Sequence, residues 1–248
     1  MNGSIHIAQI TDCHLPAARK THYRGIDAWA NLERLLARLK AHKPDLVLAT
    51  GDLSEDASTA SYRGLRDLFW KLRVPVLALP GNHDDADLMA QFFPSSPSDT
   101  PCYSYHGGWQ IIRLNSCATG KPHGRLSDNT LQQLQATLEQ DSGRPRLLAL
   151  HHQPVLVNSP WIDKHRLLEP EPLLQLIDGH ADIKAVVWGH VHQVFEADRN
   201  GVAMLGSPSS AINGVPGMDT FTADTLAPAC RWLELRGDGS LESRIVSA

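Results

Sequence analysis

The stretch Asp45-Leu46-Val47-Leu48-Ala49-Thr50-Gly51-Asp52 is an apolar run closed by a glycine and an acid. A run this short, bounded by a turn former, reads as a strand buried on both faces. Residues 26–42 precede it, with Ile26, Trp29, Leu32, Leu35, Leu36 and Leu39 at helical spacing. Residues 59–72 follow, with Leu65, Leu68, Phe69 and Leu72 on one helical face. Residues 5–10 and 74–79 are further apolar runs on either side. Strands that alternate with helices form a parallel sheet, because each crossover helix returns the chain to the same edge.

Beyond this core the pattern continues. Strands are predicted over 110–114, 146–150 and 183–188, and helices over 127–140 (Ser127 as N-cap) and 171–178, with a Pro- and Ser-rich loop over 94–101. The end of the chain changes character. Phe195, 202–205, 231–235 and 241–246 read as short strands joined by turns such as Arg199-Asn200-Gly201 and Gly237-Asp238-Gly239. We expect mixed sheet there rather than a separate domain. The expectation is a layered α/β fold: two mixed sheets packed as a sandwich with helices outside, one domain over 1–248, with about 195–248 supplying C-terminal sheet and a pocket-lining loop.

Composition narrows the function. In 248 residues, 42% are hydrophobic and 20% charged, enough apolar material for a sizeable core. The net charge of -4 and the lack of a basic stripe argue against nucleic acid as partner. An acidic protein that handles an anion needs a local positive centre, and bound metal supplies one. No signal peptide is expected in residues 1–12, and no apolar run reaches membrane-spanning length. Cys13, Cys102, Cys117 and Cys230 are scattered, so they read as free thiols of a reducing compartment, the cytoplasm.

Five predicted strands end in a polar signature: Asp12-Cys13-His14, Gly51-Asp52, Gly81-Asn82-His83-Asp84, His151-His152 and Gly189-His190-Val191-His192. Ligands of open α/β sheets sit beyond the carboxyl ends of strands, so all five point to one place. The glycines let the chain turn and approach a ligand closely. Asp-x-His and His-x-His spacing puts both side chains on one face of an extended segment. Alone, Asp-x-His or Gly-Asp is an ordinary surface turn, and His-His is equally a packed histidine beside a solvated one. Five signatures after five strands are not explained that way. Oxygen and imidazole donors without thiolate suit Mn, Fe, Zn or a similar divalent ion, and seven ligands fit two ions about 3.5–4 Å apart that share a carboxylate. Trp29, Leu35 and Leu39 are read as helix packing, His6 as a packed or edge histidine, and the run from Arg34 to Lys43 as a solvated helix face.

This ordered set resembles the calcineurin-like metallophosphoesterase superfamily over about the whole chain. Residues 10–15 and 184–193 are similar to those of bacterial class III 3',5'-cyclic nucleotide phosphodiesterases, as are 161–167 and the segment from Ala227 to Leu233. The resemblance implies that Asp12, His14 and His192 bind one metal, that Asn82, His151 and His190 bind a second, and that Asp52 bridges both. It implies His151, the first of its pair, as the ligand. It places His83 at the leaving group and an acid that orients it at Asp56, with His14, Asp52, Asn82 and His83 facing the substrate. Two departures stand out: Gln153 precedes Pro154 in the fourth motif, and residues 207–217 begin as the family's pocket loop does and then diverge.

The implied reaction is hydrolysis of a 3',5'-cyclic nucleotide, cyclic AMP to 5'-AMP, by in-line attack of a hydroxide generated at the metal pair. Fe or Mn are the expected ions, with Zn, Co or Mg also compatible. Alternatives are another phosphoester substrate (a glycerophosphodiester, a nucleotide-lipid pyrophosphate or a phosphomonoester) or a non-enzymatic binding module of the same fold. The expected partner is a small molecule, not nucleic acid or membrane, and a homo-oligomer stays open.

Overall fold

The structure is a computed structural model that describes residues 4–140 and 143–248. In chain order its elements are β1 (Ile5–Ile10), α1 (Ala28–His42), β2 (Leu46–Thr50), α2 (Thr59–Trp70), β3 (Val76–Leu79), α3 (Ala86–Ala90), β4 (Cys102–His106), β5 (Trp109–Arg113) and α4 (Asp128–Gln140). Then follow β6 (Arg146–Leu150), α5 (Pro160–Asp163), α6 (Glu171–Gly179), β7 (Ile183–Trp188), β8 (Phe195–Arg199), β9 (Val202–Gly206), β10 (Ala229–Leu235) and β11 (Leu241–Ser247). One sheet has the order β11-β10-β1-β2-β3 and the other β4-β5-β6-β7-β9-β8. Both are mixed: β1, β2 and β3 run parallel, as do β5, β6, β7 and β9, with antiparallel strands at the edges.

Period-two alternation distributes each strand between two cores. Leu46 and Leu48 of β2 face the second sheet and meet Ile111, Leu147, Val187 and Leu205. Val47 and Ala49, between them, face outward onto Trp29, Leu32 and Leu35 of α1 and Leu65 and Phe69 of α2. On the far side, Leu148, Leu150, Val186 and Trp188 pack on Leu134 and Leu138 of α4 and Leu173 and Ile177 of α6. The result is helix, sheet, sheet, helix. The C-terminal strands divide between the layers: β8 and β9 extend the second sheet, and β10 and β11 extend the first beside β1.

Helix ends follow local chemistry. Asp27 caps α1 through Ala30 N at 3.0 Å, so the helix starts two residues later than periodicity suggested. Ser127 caps α4 through Thr130 N at 3.0 Å. Three elements were not foreseen: α3, α5 and β4. The first two have five and four residues, too short for a period to register. β4, Cys-Tyr-Ser-Tyr-His, is an edge strand without an apolar run. Its signal was the turn Gly107-Gly108, both at positive φ (54° and 87°), which closes a tight hairpin to β5.

Candidate metal centre

The carboxyl ends of β1, β2 and β3 in one sheet and β6 and β7 in the other meet at the seam between the sheets. Each is followed within three residues by one of the five signatures. Five of the seven expected ligands have left-handed backbone: Asp12 (φ 51°), His14 (44°), Asp52 (49°), His190 (67°) and His192 (48°). The Asp-x-His and His-x-His pairs therefore converge through kinked turns rather than through an extended segment. Non-glycine residues in this region are strained, and such strain persists only where the surroundings enforce it. Gly51 turns at φ 93°. At Gly189 a Cβ would overlap Thr11 and approach the Asp12 carboxylate at 2.9 Å, so only glycine admits this loop.

Four histidines are each oriented by one ring nitrogen. His14 Nδ1 donates to Glu55 at 2.8 Å, His151 Nδ1 to the Thr50 carbonyl at 2.8 Å, His192 Nδ1 to the Ile212 carbonyl at 2.7 Å and His190 Nε2 to the His165 carbonyl at 3.1 Å. A neutral imidazole whose one nitrogen donates has a lone pair on the other, which is the form that ligates metal. His14 Nε2 and His192 Nε2 lie 3.2 Å apart, and His192 Nε2 lies 3.3 Å from Asp12 Oδ1. Two lone pairs that close repel unless a cation lies between them. Asn82 Oδ1 is a buried acceptor without a hydrogen-bond partner among the described residues, and buried His151 Nε2 has the Asp52 carboxylate beside it at 3.4 Å.

The charges tell the same story. Asp12 and Asp52 are 0% and 2% exposed, and the partners recorded for their carboxylates are histidines and backbone N–H groups. Buried anions need cations or strong donors around them. Burial alone would raise the Asp52 carboxyl, but His151 beside it, itself raised to about 9, holds it well below the ordinary range. Burial keeps His14 and His190 neutral, with His151 and His152 adding to the effect at His190. Donor atoms within 4.8 Å of one another form the groups Asp12-His14-His192, Asp12-Asp52-His151, His14-Asp52-His83 and His151-His152-His190. The residues fit metal ions.

Asp52 joins the two halves. Its Oδ2 lies 3.4 Å from His151 Nε2 and 3.7 Å from His14 Nε2, while Oδ1 accepts the His83 N–H at 2.9 Å. His151, not His152, faces this carboxylate. His152 Nδ1 pairs instead with Ser116 Oγ at 2.9 Å. His83 is partly exposed, and its Nδ1 lies 3.2 Å from Glu55. The hydrogen bond to Glu55, aided by Asp52, raises its pKa to about 9. Glu55, which burial would raise, is pulled to about 2 by hydrogen bonds from His14 and His83.

This corrects the placement of the orienting acid. Asp56 accepts from Ala17 N (2.7 Å), Ser54 Oγ (3.2 Å) and Ser58 N (3.2 Å) and serves the local turn. The acid on His83 is Glu55, one residue earlier. Tyr23 also escaped the sequence reading: its ring stacks on His14 at 4.2 Å and 6°. Cys13, between two ligands, points into the apolar core and receives the Ser210 hydroxyl at 3.2 Å. All four cysteines are free.

The cluster opens into a cleft of about 330 Å³ whose walls include Tyr23, Arg24, Trp161, Lys164, His165 and Phe221. The pocket-lining residues of the C-terminal loop are Thr220 and Phe221, just beyond the 207–217 segment expected to line it. On the other side of Asn82 lies a hollow of about 510 Å³ edged by Asp84, Asp85, Asp87 and Asp99.

Two mixed sheets flanked by helices, with a buried Asp/His cluster at their seam, define a metal-dependent phosphoric ester hydrolase. Residues 5–194 match the calcineurin-like phosphoesterase family, and the chain belongs to that family. It is 35% identical over 246 residues to the 3',5'-cyclic adenosine monophosphate phosphodiesterase CpdA of Pseudomonas aeruginosa, covering 98% of this chain and 90% of that protein. It is 37% identical over 243 residues to a 3',5'-cyclic-nucleotide phosphodiesterase of Nostoc sp., covering 97% and 91%. Among solved structures, a dimetal phosphatase from Danio rerio superposes with a TM-score of 0.71 at 13% identity, covering 98% of each chain. That last likeness concerns the fold alone. The family implies a dinuclear metal centre. No helix among the described residues is long and apolar enough to cross a membrane.

Proposed function

We propose that this chain hydrolyses 3',5'-cyclic nucleotides, with cyclic AMP converted to 5'-AMP, and that the whole chain works as one catalytic unit. The observation that carries the substrate is the likeness, over 97–98% of the chain, to proteins named for that reaction. Asp12, His14 and His192 would hold one ion and Asn82, His151 and His190 the other, with Asp52 the ligand they would share. Fe or Mn are the expected ions, and oxygen and imidazole donors without thiolate suit them, as they also suit Zn. When bound, the ions supply Lewis-acid activation of water and of the phosphoryl oxygens.

The chain's own residues do the rest. The phosphodiester anion enters from the side of Arg24, Lys164 and His165, because the opposite hollow is edged by four aspartates. His83 carries a proton at neutral pH and delivers it to the departing alkoxide, with Glu55 fixing its ring. The histidines keep the geometry fixed while charge builds on phosphorus: the outer nitrogens of His151, His190 and His192 are tied to backbone carbonyls and that of His14 to the Glu55 carboxylate. The free thiols suit a reducing compartment such as the cytoplasm.

The test is kcat/KM for cyclic AMP beside that for a glycerophosphodiester, both with Mn(II)-loaded protein. Cyclic AMP should be the better substrate. If cyclic AMP is untouched while the glycerol ester turns over well, the cyclic-nucleotide reading fails and only the phosphoesterase class stands.

A further inference from the structure

The outer wall of the cleft carries a construction that the hydrolysis itself does not use. Arg24 sits at the tip of a turn closed by paired hydrogen bonds between Tyr23 and Ile26 (3.0 and 2.9 Å), with left-handed backbone at φ 47°. Its guanidinium lies 4.3 Å from the Phe221 ring centroid and 5.5 Å from that of Tyr23, and Nε donates to the Tyr23 hydroxyl at 2.9 Å. No carboxylate pairs with it among the described residues. An exposed arginine normally stays hydrated and mobile. This one is held against an aromatic wall by a hydrogen bond and two ring contacts.

The wall that holds Arg24 also reaches the candidate metal cluster. Tyr23, its first support, stacks flat on His14. Phe221, its second, stands edge-on to His192 at 6.1 Å and to Trp161 at 5.1 Å. The segment that brings Phe221 also holds His192: Gly214 N donates to the His192 carbonyl at 2.8 Å and the Ile212 carbonyl orients its ring. Gly214 lies against Phe221, where a Cβ would meet the ring at 3.2 Å. The two aromatic supports of Arg24 therefore rest on two histidines of the metal cluster, so its distance from a bound phosphate is set by the fold.

The geometry points to Arg24, held on Phe221, as the nucleobase platform of this site. The inference rests on the cyclic-nucleotide reading above and adds where the base goes. A guanidinium plane stacks on nucleobases, and stacking tolerates any base but rewards the larger face of a purine. Here the layers are base, Arg24 and Phe221. Lysine keeps the charge but cannot form the middle layer.

The experiment measures kcat and KM of the Mn(II)-loaded wild type, Arg24→Ala, Arg24→Lys and Phe221→Ala. The substrates are cyclic AMP, cyclic CMP and the baseless 1-O-methyl riboside 3',5'-cyclic phosphate. For cyclic AMP, KM should rise roughly tenfold in all three variants with kcat unchanged, and less for cyclic CMP. KM for the baseless substrate should not move in Arg24→Lys or Phe221→Ala, both of which keep the positive charge that draws the anion in. Recovery of cyclic AMP binding in Arg24→Lys, an equal loss for the baseless substrate in those two variants, or an unchanged KM in Arg24→Ala would each overturn the platform. If wild type cleaves the glycerophosphodiester but not cyclic AMP, the underlying reading fails and takes the platform with it. If wild type cleaves cyclic AMP and Arg24→Ala binds it normally, only the platform is lost.

Discussion

Glu55 is shared between His14, which faces the metal cluster, and His83, which faces the cleft. Its carboxylate does two jobs at once: it fixes the tautomer of one ring and keeps a proton on the other. The second job has a pH signature. A general acid works only while protonated, so activity falls as pH rises through its pKa. Glu55→Gln removes the charge that lifts His83 to about 9, so the alkaline limb of kcat should move to lower pH. A limb that stays in place would remove Glu55 from this role. His83→Ala should keep its metals and lose turnover on the order of 10²–10⁴-fold for alkyl leaving groups, the usual scale of acid catalysis, and much less for a good aryl leaving group. Equal losses for both esters would count against proton delivery. The candidate ligands stand out in the sequence because Asn82 and His83 together after a strand are rarely packing residues and because five polar signatures each follow an apolar strand. Glu55 and Asp56 do not separate, since only the turn geometry tells which of two adjacent acids faces His83.

The loops after β2 and β3 behave as one element because Asp84 ties them. Its carboxylate accepts the N–H groups of Leu53 (3.1 Å), Ser54 (3.0 Å) and Gly81 (2.9 Å) and the Tyr62 hydroxyl (3.1 Å). Asp84→Ala leaves those donors unsatisfied, at about 1–3 kcal/mol for a buried group, and should lower the urea midpoint and loosen metal binding together. A variant with wild-type stability would show that the loops hold themselves. Helix packing offers a sharper contrast. Gly64 lies inside α2, where alanine is ordinarily better by about 1 kcal/mol. Here a Cβ would run into the Trp29 indole of α1. Overpacking costs about 1–3 kcal/mol, so Gly64→Ala should destabilise, and a raised Tm would contradict this packing. The sequence displayed the long helices through their apolar period and the central strands through their apolar runs. It hid β4, α3 and α5, where edge exposure or brevity leaves no period. It also hid the wall of the cleft, because Tyr23, Arg24 and Phe221 meet only after the chain has folded.

At the scale of the whole molecule, the two sheets approach each other at a seam that contains two buried carboxylates and a ring of imidazoles. Cations that neutralise this seam bind the folded chain and not the unfolded one, so they stabilise it by mass action. Exhaustive chelation should lower Tm, and added Mn(II) should restore it in proportion to metal bound. A Tm indifferent to chelation would mean the seam is neutralised otherwise. The most direct test of the account is crystallographic: anomalous scattering from crystals of the Mn(II)-loaded protein. The expected result is two peaks, one among Asp12, His14 and His192, the other among Asn82, His151 and His190, with Asp52 in contact with both. A single peak, or two peaks that Asp52 does not join, would contradict the two-metal centre from which the proposed chemistry follows.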